Sequence, residues 1–303
     1  MENDFFEKLS KLVEAESIKR QELMKKHTTF KIGGPADCYI CPHTVEEVAS
    51  IVALCKEENI PYYIIGNGSN LLIGDKGYRG VIIHIYNNFN AISVEDNKIY
   101  TQAGALLSEI AKVAARNNLA GFEFASGIPG TIGGAAVMNA GAYGGEMKDV
   151  LFSVTVLNGD GEIVIIPSEE LELGYRTSII AKNGYIVLNA IIELKQGKQS
   201  EIEEVMNELK EKRTEKQPLE YGSAGSTFKR PEGYFAGKLI MDSNLRGVCI
   251  GDAQVSEKHC GFVINKNQAT AAEVVALMEH IANTVYENFQ VKLEPEIKML
   301  GEF

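Results

Sequence analysis

The chain has 303 residues, 45% hydrophobic and 23% charged, with a formal net charge of −11. That balance suits a globular protein of two or three domains and argues against a general nucleic-acid binder, which needs a basic face. No apolar run is long enough to cross a bilayer, and the acidic, amphipathic opening MENDFFEKLSKLVEAESIKR is unlike a signal peptide, so a cytoplasmic protein without a membrane partner is expected.

In chain order, the pattern predicts an opening helix over residues 5–19, then turn and strand in HTTFKIGGPADCYICP. A helix is expected from Thr44 to Asn59: Thr44 and Glu47 fit a capping box, and Val45, Val48, Ile51, Val52 and Cys55 form one apolar stripe. Strands follow at Pro61 to Ile65 and Val81 to Tyr86, separated by the loop GNGSN. AISVEDNKIYTQAGA reads as a hairpin turning near Asp96, and residues 106–117 as a helix stopped by Asn118. LFSVTVLNGDGEIVIIP is a hairpin about Asn158–Gly161, and GYIVLNAIIELKQG another strand. The composition then shifts to a charged helix, 199–216, with a Ser200/Glu203 capping box, ended by Pro218. A long helix over 270–289 and a strand-like end, FQVKLEPEIKMLG, complete the chain. The class is α+β.

Residues 128–147, IPGTIGGAAVMNAGAYGGEM, hold six glycines and neither lysine nor arginine. The dinucleotide fingerprint G-x-G-x-x-G and the phosphate loop ending Gly-Lys-Ser/Thr are both absent. What remains is a nest of backbone N–H donors or a helix start aimed at a ligand, or else a tight loop packed on a sheet. GNGSN (66–70) poses the same choice. Five cysteines do not make a disulfide framework, and the single C-x-x-C of Cys38 and Cys41 has no second pair for zinc, so no metal is expected. Arg176 of GYRTS suits a bidentate grip on a carboxylate, or a surface ion pair. GSAGSTFKRP (222–231) offers Ser223 and Ser226 beside two bases. Glu294 and Glu296 are expected on one strand face, where a buried carboxyl serves acid/base work or an exposed one guards an edge.

HTTFKIGGPAD, GNGSNLL, GIPGTIGGAAVMNAGAYGGEM, GYRTS, AGSTFKRP, AGKLI, AQVSEKH and LEPEIKMLG, in this order from about residue 20 to the C-terminus, closely resemble the UDP-N-acetylenolpyruvoylglucosamine reductase family. The resemblance implies an FAD-binding domain of the vanillyl-alcohol-oxidase (PCMH) type, built of two α+β subdomains, plus a C-terminal α+β substrate domain. The division expected is an N-terminal helix (1–24), an FAD-binding domain (25–195, subdomains about 25–85 and 86–195), a substrate-binding domain (199–290) and a C-terminal strand (291–303) carrying Glu296. The implied reaction has two halves: NADPH reduces non-covalent FAD, and the enolpyruvyl ether of UDP-N-acetylglucosamine is then reduced to UDP-N-acetylmuramate, a peptidoglycan precursor.

Carried over by motif, Ser226 is the proton donor, and Arg176 and Glu296 stabilise the enolate. Glu296 helps only if protonated or hydrogen-bonded to the same centre, because an unpaired carboxylate would oppose the charge that develops. FAD falls to Gly66, Asn67, Gly68, Ser69 and Asn70, to Gly130, Thr131, Gly133 and Gly134, and to Asn139, Gly141 and Tyr143. Substrate phosphate or sugar falls to Arg213, Lys229, Arg230 and His259. GYRTSIIAKNGYIV runs straight into a strand, which resembles the shorter subclass lacking an inserted tyrosine loop. Arg230 stands where other members place a neutral amide. His27 and His84 lie in the FAD region without a covalent-attachment motif. A monomer is expected.

Overall fold

The computed structural model describes residues 3–303. α1 (Asn3–Leu9) ends well before residue 19. Ser10 turns its hydroxyl back onto the Glu7 carbonyl (2.9 Å), a bond that competes with helix continuation. The chain makes a 3-10 turn at Ala15–Ser17 and then enters β1 (Ile18–Leu23), so within the described residues the segment expected as a helix over 1–24 is α-helical only at its start. Sheet pairing overrides the amphipathic pattern there.

β2 (Pro35–Ile40) leads to α2 (Val45–Glu57), whose N-cap Thr44 accepts the Glu47 N–H at 3.1 Å. β3 (Tyr62–Ile65), β4 (Leu71–Ile73) and β5 (Tyr78–His84) follow, with β3 and β5 parallel from Tyr62↔Val81 to Ile65↔His84. The first sheet has the order β1-β2-β5-β3. β6 (Ile92–Glu95) and β7 (Lys98–Gln102) form the expected hairpin, and α3 (Leu107–Arg116) stops before Asn118, which takes a positive φ of 56°. β8 (Leu119–Ala120), α4 (Ile132–Val137), β9 (Gly141–Ala142) and β10 (Gly145–Glu146) frame the glycine-rich stretch. β11 (Leu151–Leu157) and β12 (Ile163–Pro167) are the second hairpin. The Asn158 side chain sets its turn by accepting the N–H groups of Asp160 (3.0 Å) and Glu162 (2.8 Å).

After α5 (Ile179–Asn183), β13 (Ile186–Glu193) completes a five-stranded antiparallel sheet, β12-β11-β13-β7-β6. Its core includes Val154, Val156, Leu188, Ala190 and Ile192. β14 (Lys195–Gln196) pairs with β8. α6 (Gln199–Lys216) starts two residues earlier than the predicted box allows. Asn118 Oδ1 accepts the Gln199 N–H (3.1 Å), which leaves Ser200 inside the first turn.

Next come β15 (Gly222–Ser223), α7 (Ala236–Asp242), β16 (Cys249–Ile250), β17 (Ala253–Val255), β18 (Val263–Asn265), α8 (Ala271–Phe289) and β19 (Lys298–Leu300). The order β15-β18-β17-β16 makes a small antiparallel sheet. Leu239, Ile240, Val255, Val263, Val274, Leu277, Ile281 and Val285 share its core. α8 starts with a capping box, Thr270 with Glu273. Asp75 adds to it by accepting the N–H groups of Ala271 (2.8 Å) and Ala272 (3.0 Å).

The chain divides into two compact units. One is the chain up to Lys19, Tyr39–Asn67 and Val81–Arg213; the other is Arg20–Cys38, Gly68–Gly80 and Thr214–Phe303. These units do not coincide with the contiguous division at 25–195, 199–290 and 291–303. Long-range pairing within the second unit is the reason. β4 runs parallel to β19, Thr29 donates its hydroxyl to the Ser223 carbonyl (2.7 Å), and Asn265 donates to the Phe30 carbonyl (3.1 Å). Glu296 also lies ahead of the last strand, which begins at Lys298. Pro295 has no N–H for a ladder and makes only a single bridge to Phe228. No helix among the described residues is long and apolar enough to cross a membrane.

Candidate active site

In the first unit the two glycine loops touch directly. Asn67 donates its side-chain amide to the Pro129 carbonyl (2.7 Å). A Cβ on Gly66 would lie 2.3 Å from Thr131 Oγ1, so only glycine lets the loops close to this distance. Thr131 caps α4, its hydroxyl accepting the Gly134 N–H (3.4 Å), while Gly133 donates to the Ala103 carbonyl (2.9 Å). Among the described residues, the N–H groups of Asn67, Gly130 and Thr131 have no acceptor. The stretch itself has no positive charge, but one is brought to its edge: the Arg213 guanidinium donates to the Gly127 carbonyl. Burial pulls Arg213 down from its ordinary value, with nearby Tyr143 opposing. Arg213 therefore stands with the glycine-rich loop. Unspent backbone donors with one half-buried guanidinium suit a pyrophosphate, so this chain's residues fit a dinucleotide such as FAD.

Tyr143 (φ 53°) and Gly144 (φ 90°) are the two central residues of the turn joining β9 and β10, which makes Tyr143 a 47% exposed tip. Asn139 is buried and its side chain is committed internally. It donates to Glu146 Oε2 (2.7 Å) and to the Gly174 carbonyl (3.2 Å), and it accepts the Lys148 N–H (2.9 Å). Its second bond anchors the turn that carries Arg176. Gly174 and Thr177 exchange backbone bonds of 3.1 and 3.3 Å, and Arg176, half-buried between them, has a φ of 56°. A large side chain in the left-handed region is strained, and such strain concentrates at functional positions. Ser178, fully buried, donates to the Val137 carbonyl (2.6 Å) and caps α5, which leads on to β13 without an inserted segment.

In the second unit Gly68 is left-handed (φ 60°), and a Cβ there would lie 2.2 Å from the His27 carbonyl oxygen. The N–H groups of Gly68 and Ser69 have no acceptor among the described residues. Asn70 turns toward the C-terminal segment instead. Its amide donates to the Glu296 carbonyl (3.3 Å), and its own carbonyl accepts the Lys298 N–H (2.9 Å). Ser226 is half-buried in the loop after β15, and Glu296, also half-buried, donates its N–H to the Thr227 carbonyl (2.9 Å). The backbone of Glu296 is thus tied one residue from Ser226; Arg176 belongs to the first unit. Glu294 and Glu296, expected on one strand face, both precede the strand, which begins at Lys298. Glu294 is 73% exposed and paired with Lys229 Nζ (3.1 Å), an ion pair worth little by itself. The Arg230 guanidinium lies over the Phe235 ring at 4.0 Å and donates to the Tyr234 carbonyl (3.3 Å).

His259 accepts the Gly261 N–H at Nδ1 (3.1 Å), which puts the proton of the neutral ring on Nε2. Burial lowers its pKa, so the unfolded chain binds a proton more readily than the folded one. Its contribution to stability is intact above the unfolded value of about 6.5 and is lost as pH falls below it. The drop in Tm between pH 7.5 and 5.5 is expected to shrink in His259→Gln, which keeps an acceptor. An unchanged drop would assign the acid sensitivity elsewhere.

Sequence reasoning missed Asn70 as a partner of Glu296 and the placement of Arg213; both bonds span long stretches of chain that no local motif encodes. His84, buried, shares a hydrogen bond with Tyr39, and His27 one with Glu22 (2.9 Å), so both histidines are engaged within the protein. No group of three or more metal-ligating side chains occurs among the described residues. Cys38, Cys55 and Cys260 are buried, and burial pushes the Cys55 thiol up to about 12.

Two family profiles match the chain: an FAD binding domain over residues 36–166, and the C-terminal domain of UDP-N-acetylenolpyruvoylglucosamine reductase over 217–300. The reductase of that name from Clostridioides difficile is 52% identical over 299 residues, covering 99% of this chain and 98% of the relative. The one from Agathobacter rectalis is 53% identical over 315 residues and covers all of both. Among solved structures, the reductase from Thermus caldophilus superposes with a TM-score of 0.80 at 37% identity, covering 93% of this chain and 98% of that one. The α+β class, with an FAD-binding part followed by a reductase C-terminal domain, agrees with these matches.

Proposed function

The chain belongs to the UDP-N-acetylenolpyruvoylglucosamine reductase family, and we propose that it reduces UDP-N-acetylenolpyruvoylglucosamine to UDP-N-acetylmuramate with bound FAD and NADPH. FAD, when bound, supplies a two-electron relay from NADPH to the vinyl CH2 carbon of the substrate. The backbone donors of Asn67, Gly68, Ser69, Gly130 and Thr131, on loops whose close approach needs Gly66, would hold its pyrophosphate. Arg213 supplies a cation at Gly127.

Ser226 donates a proton to the carbon beside the substrate carboxylate. A serine hydroxyl is a weak acid, but a carbanion next to a carboxylate is a strong base, so the transfer runs downhill. Arg176 offers its guanidinium to the enolate as charge builds, and the Glu296 carboxyl is assigned to the same centre. Lys229 and Arg230, three and four residues after Ser226, and His259 are assigned to the phosphates or sugar of the substrate. The observation that carries this reading is the bond from the Glu296 N–H to the Thr227 carbonyl (2.9 Å), which fixes the carboxyl-bearing segment one residue from Ser226. Soluble nucleotide reactants suit a cytoplasmic protein, and a monomeric state is part of the same proposal.

The reaction in D2O tests it. The product should be UDP-N-acetylmuramate with deuterium on the carbon bearing the carboxylate, because the Ser226 hydroxyl exchanges with solvent. Protium retained at that carbon, or no product, would overturn the assignment.

A further inference from the structure

Strand β15 pairs with β18 at only two positions, Gly222↔Asn265 and Ser223↔Ile264. Continued in register, Ala224 would face Val263 and its carbonyl would accept the Val263 N–H. The chain leaves the sheet instead, turning through Gly225 at a φ of 75°. The Val263 N–H then finds a side chain in place of a strand, donating to Thr227 Oγ1 at 2.8 Å. Thr227 is 1% exposed. Its own N–H donates to the Gly261 carbonyl (2.9 Å), and its carbonyl accepts the Glu296 N–H (2.9 Å). The far side of Glu296 is tied by the Asn70 amide on its carbonyl (3.3 Å). One buried threonine therefore closes the loop that displays Ser226 and also holds the backbone of Glu296.

We propose that Thr227 is a positioning residue for the reaction: its hydroxyl stands in for a missing strand partner of Val263, which sets the pose of Ser226, and its carbonyl sets Glu296. The inference rests on the roles given to Ser226 and Glu296 above. Thr227→Val keeps the shape and β-branching but deletes the acceptor, leaving the buried Val263 N–H unpaired. The loop then loses the bond that fixes it, and misplacing a reacting group by a fraction of an ångström to an ångström slows chemistry steeply.

The test uses holoenzyme and two half-reactions followed by stopped flow. Thr227→Val is expected to slow flavin reoxidation by substrate about tenfold, to raise its solvent deuterium isotope effect, and to leave flavin reduction by NADPH unchanged. Thr227→Ser keeps the oxygen and should retain wild-type rates in both halves. Hydrogen exchange, read by mass spectrometry on peptides covering Val263, should quicken in Thr227→Val and stay unchanged in Thr227→Ser. Full-speed reoxidation in Thr227→Val, or an equal fall of both halves, would overturn the proposal. Should Thr227→Val fail to fold, Thr227→Ser decides: retained reoxidation supports the hydroxyl's role and a tenfold loss contradicts it. Ser226→Ala separates the two levels. If it reoxidises normally, the reading of Ser226 falls and this inference with it. If it is slow while Thr227→Val is not, only this inference falls.

Discussion

Ser226→Ala is expected to reduce its flavin with NADPH at the wild-type rate and to reoxidise it with UDP-N-acetylenolpyruvoylglucosamine roughly 10²–10⁴-fold more slowly, the usual range for a lost general acid. Electron entry needs no proton from Ser226, so the first half-reaction is spared. The second half-reaction produces a carbanion beside a carboxylate, and without a positioned donor that charge waits for water. The fold should be unmoved. Ser226 is half-buried in a loop whose bonds run through Thr227, and alanine takes its backbone conformation without strain. Stopped-flow absorbance for each half-reaction, with Tm as a control, checks this; a normal second half-reaction would remove Ser226 from the mechanism.

The second large effect is at Arg176. Arg176→Ala should lower kcat about 10²–10³-fold, the cost of losing one charge-stabilising donor. Lysine should rescue little, because a point ammonium does not reproduce the planar fork that grips a carboxylate. Arg176 has a φ of 56° between Gly174 and Thr177. A non-glycine residue there costs about 1–2 kcal/mol. Arg176→Gly should therefore melt at or above the wild-type temperature while losing activity as alanine does. Opposite movements of Tm and kcat mark a residue retained for chemistry. A Tm that falls together with kcat would show that the side chain mainly holds the turn.

What the sequence made legible was local. The Thr44 cap, the Asn158 turn and the hairpin at Asp96 are written within a few residues, and each appears where spacing put it. The ordered motifs also pointed to the family that the full-length matches bear out. What stayed hidden depends on distant pairing. Residues 68–80 join the C-terminal unit because β4 lies beside β19, and no pattern in GNGSNLL announces that partner. Arg213 lies on a charged helix and is expected at the substrate phosphate or sugar, yet it reaches the Gly127 carbonyl. Glu294 and Glu296 look alike two apart, but the first pairs with Lys229 in the open and the second is half-buried with its backbone tied at both ends. Asn139 and Asn70 sit in glycine-rich motifs that suggest ligand contact, and their amides are spent on the turn below Arg176 and on Glu296.

The most direct test of the account is an anaerobic visible spectrum of the purified holoenzyme, titrated first with NADPH and then with UDP-N-acetylenolpyruvoylglucosamine. The account predicts a flavin band that bleaches with NADPH and returns with the sugar nucleotide. A band that bleaches and does not return would leave a flavoprotein whose substrate is something else.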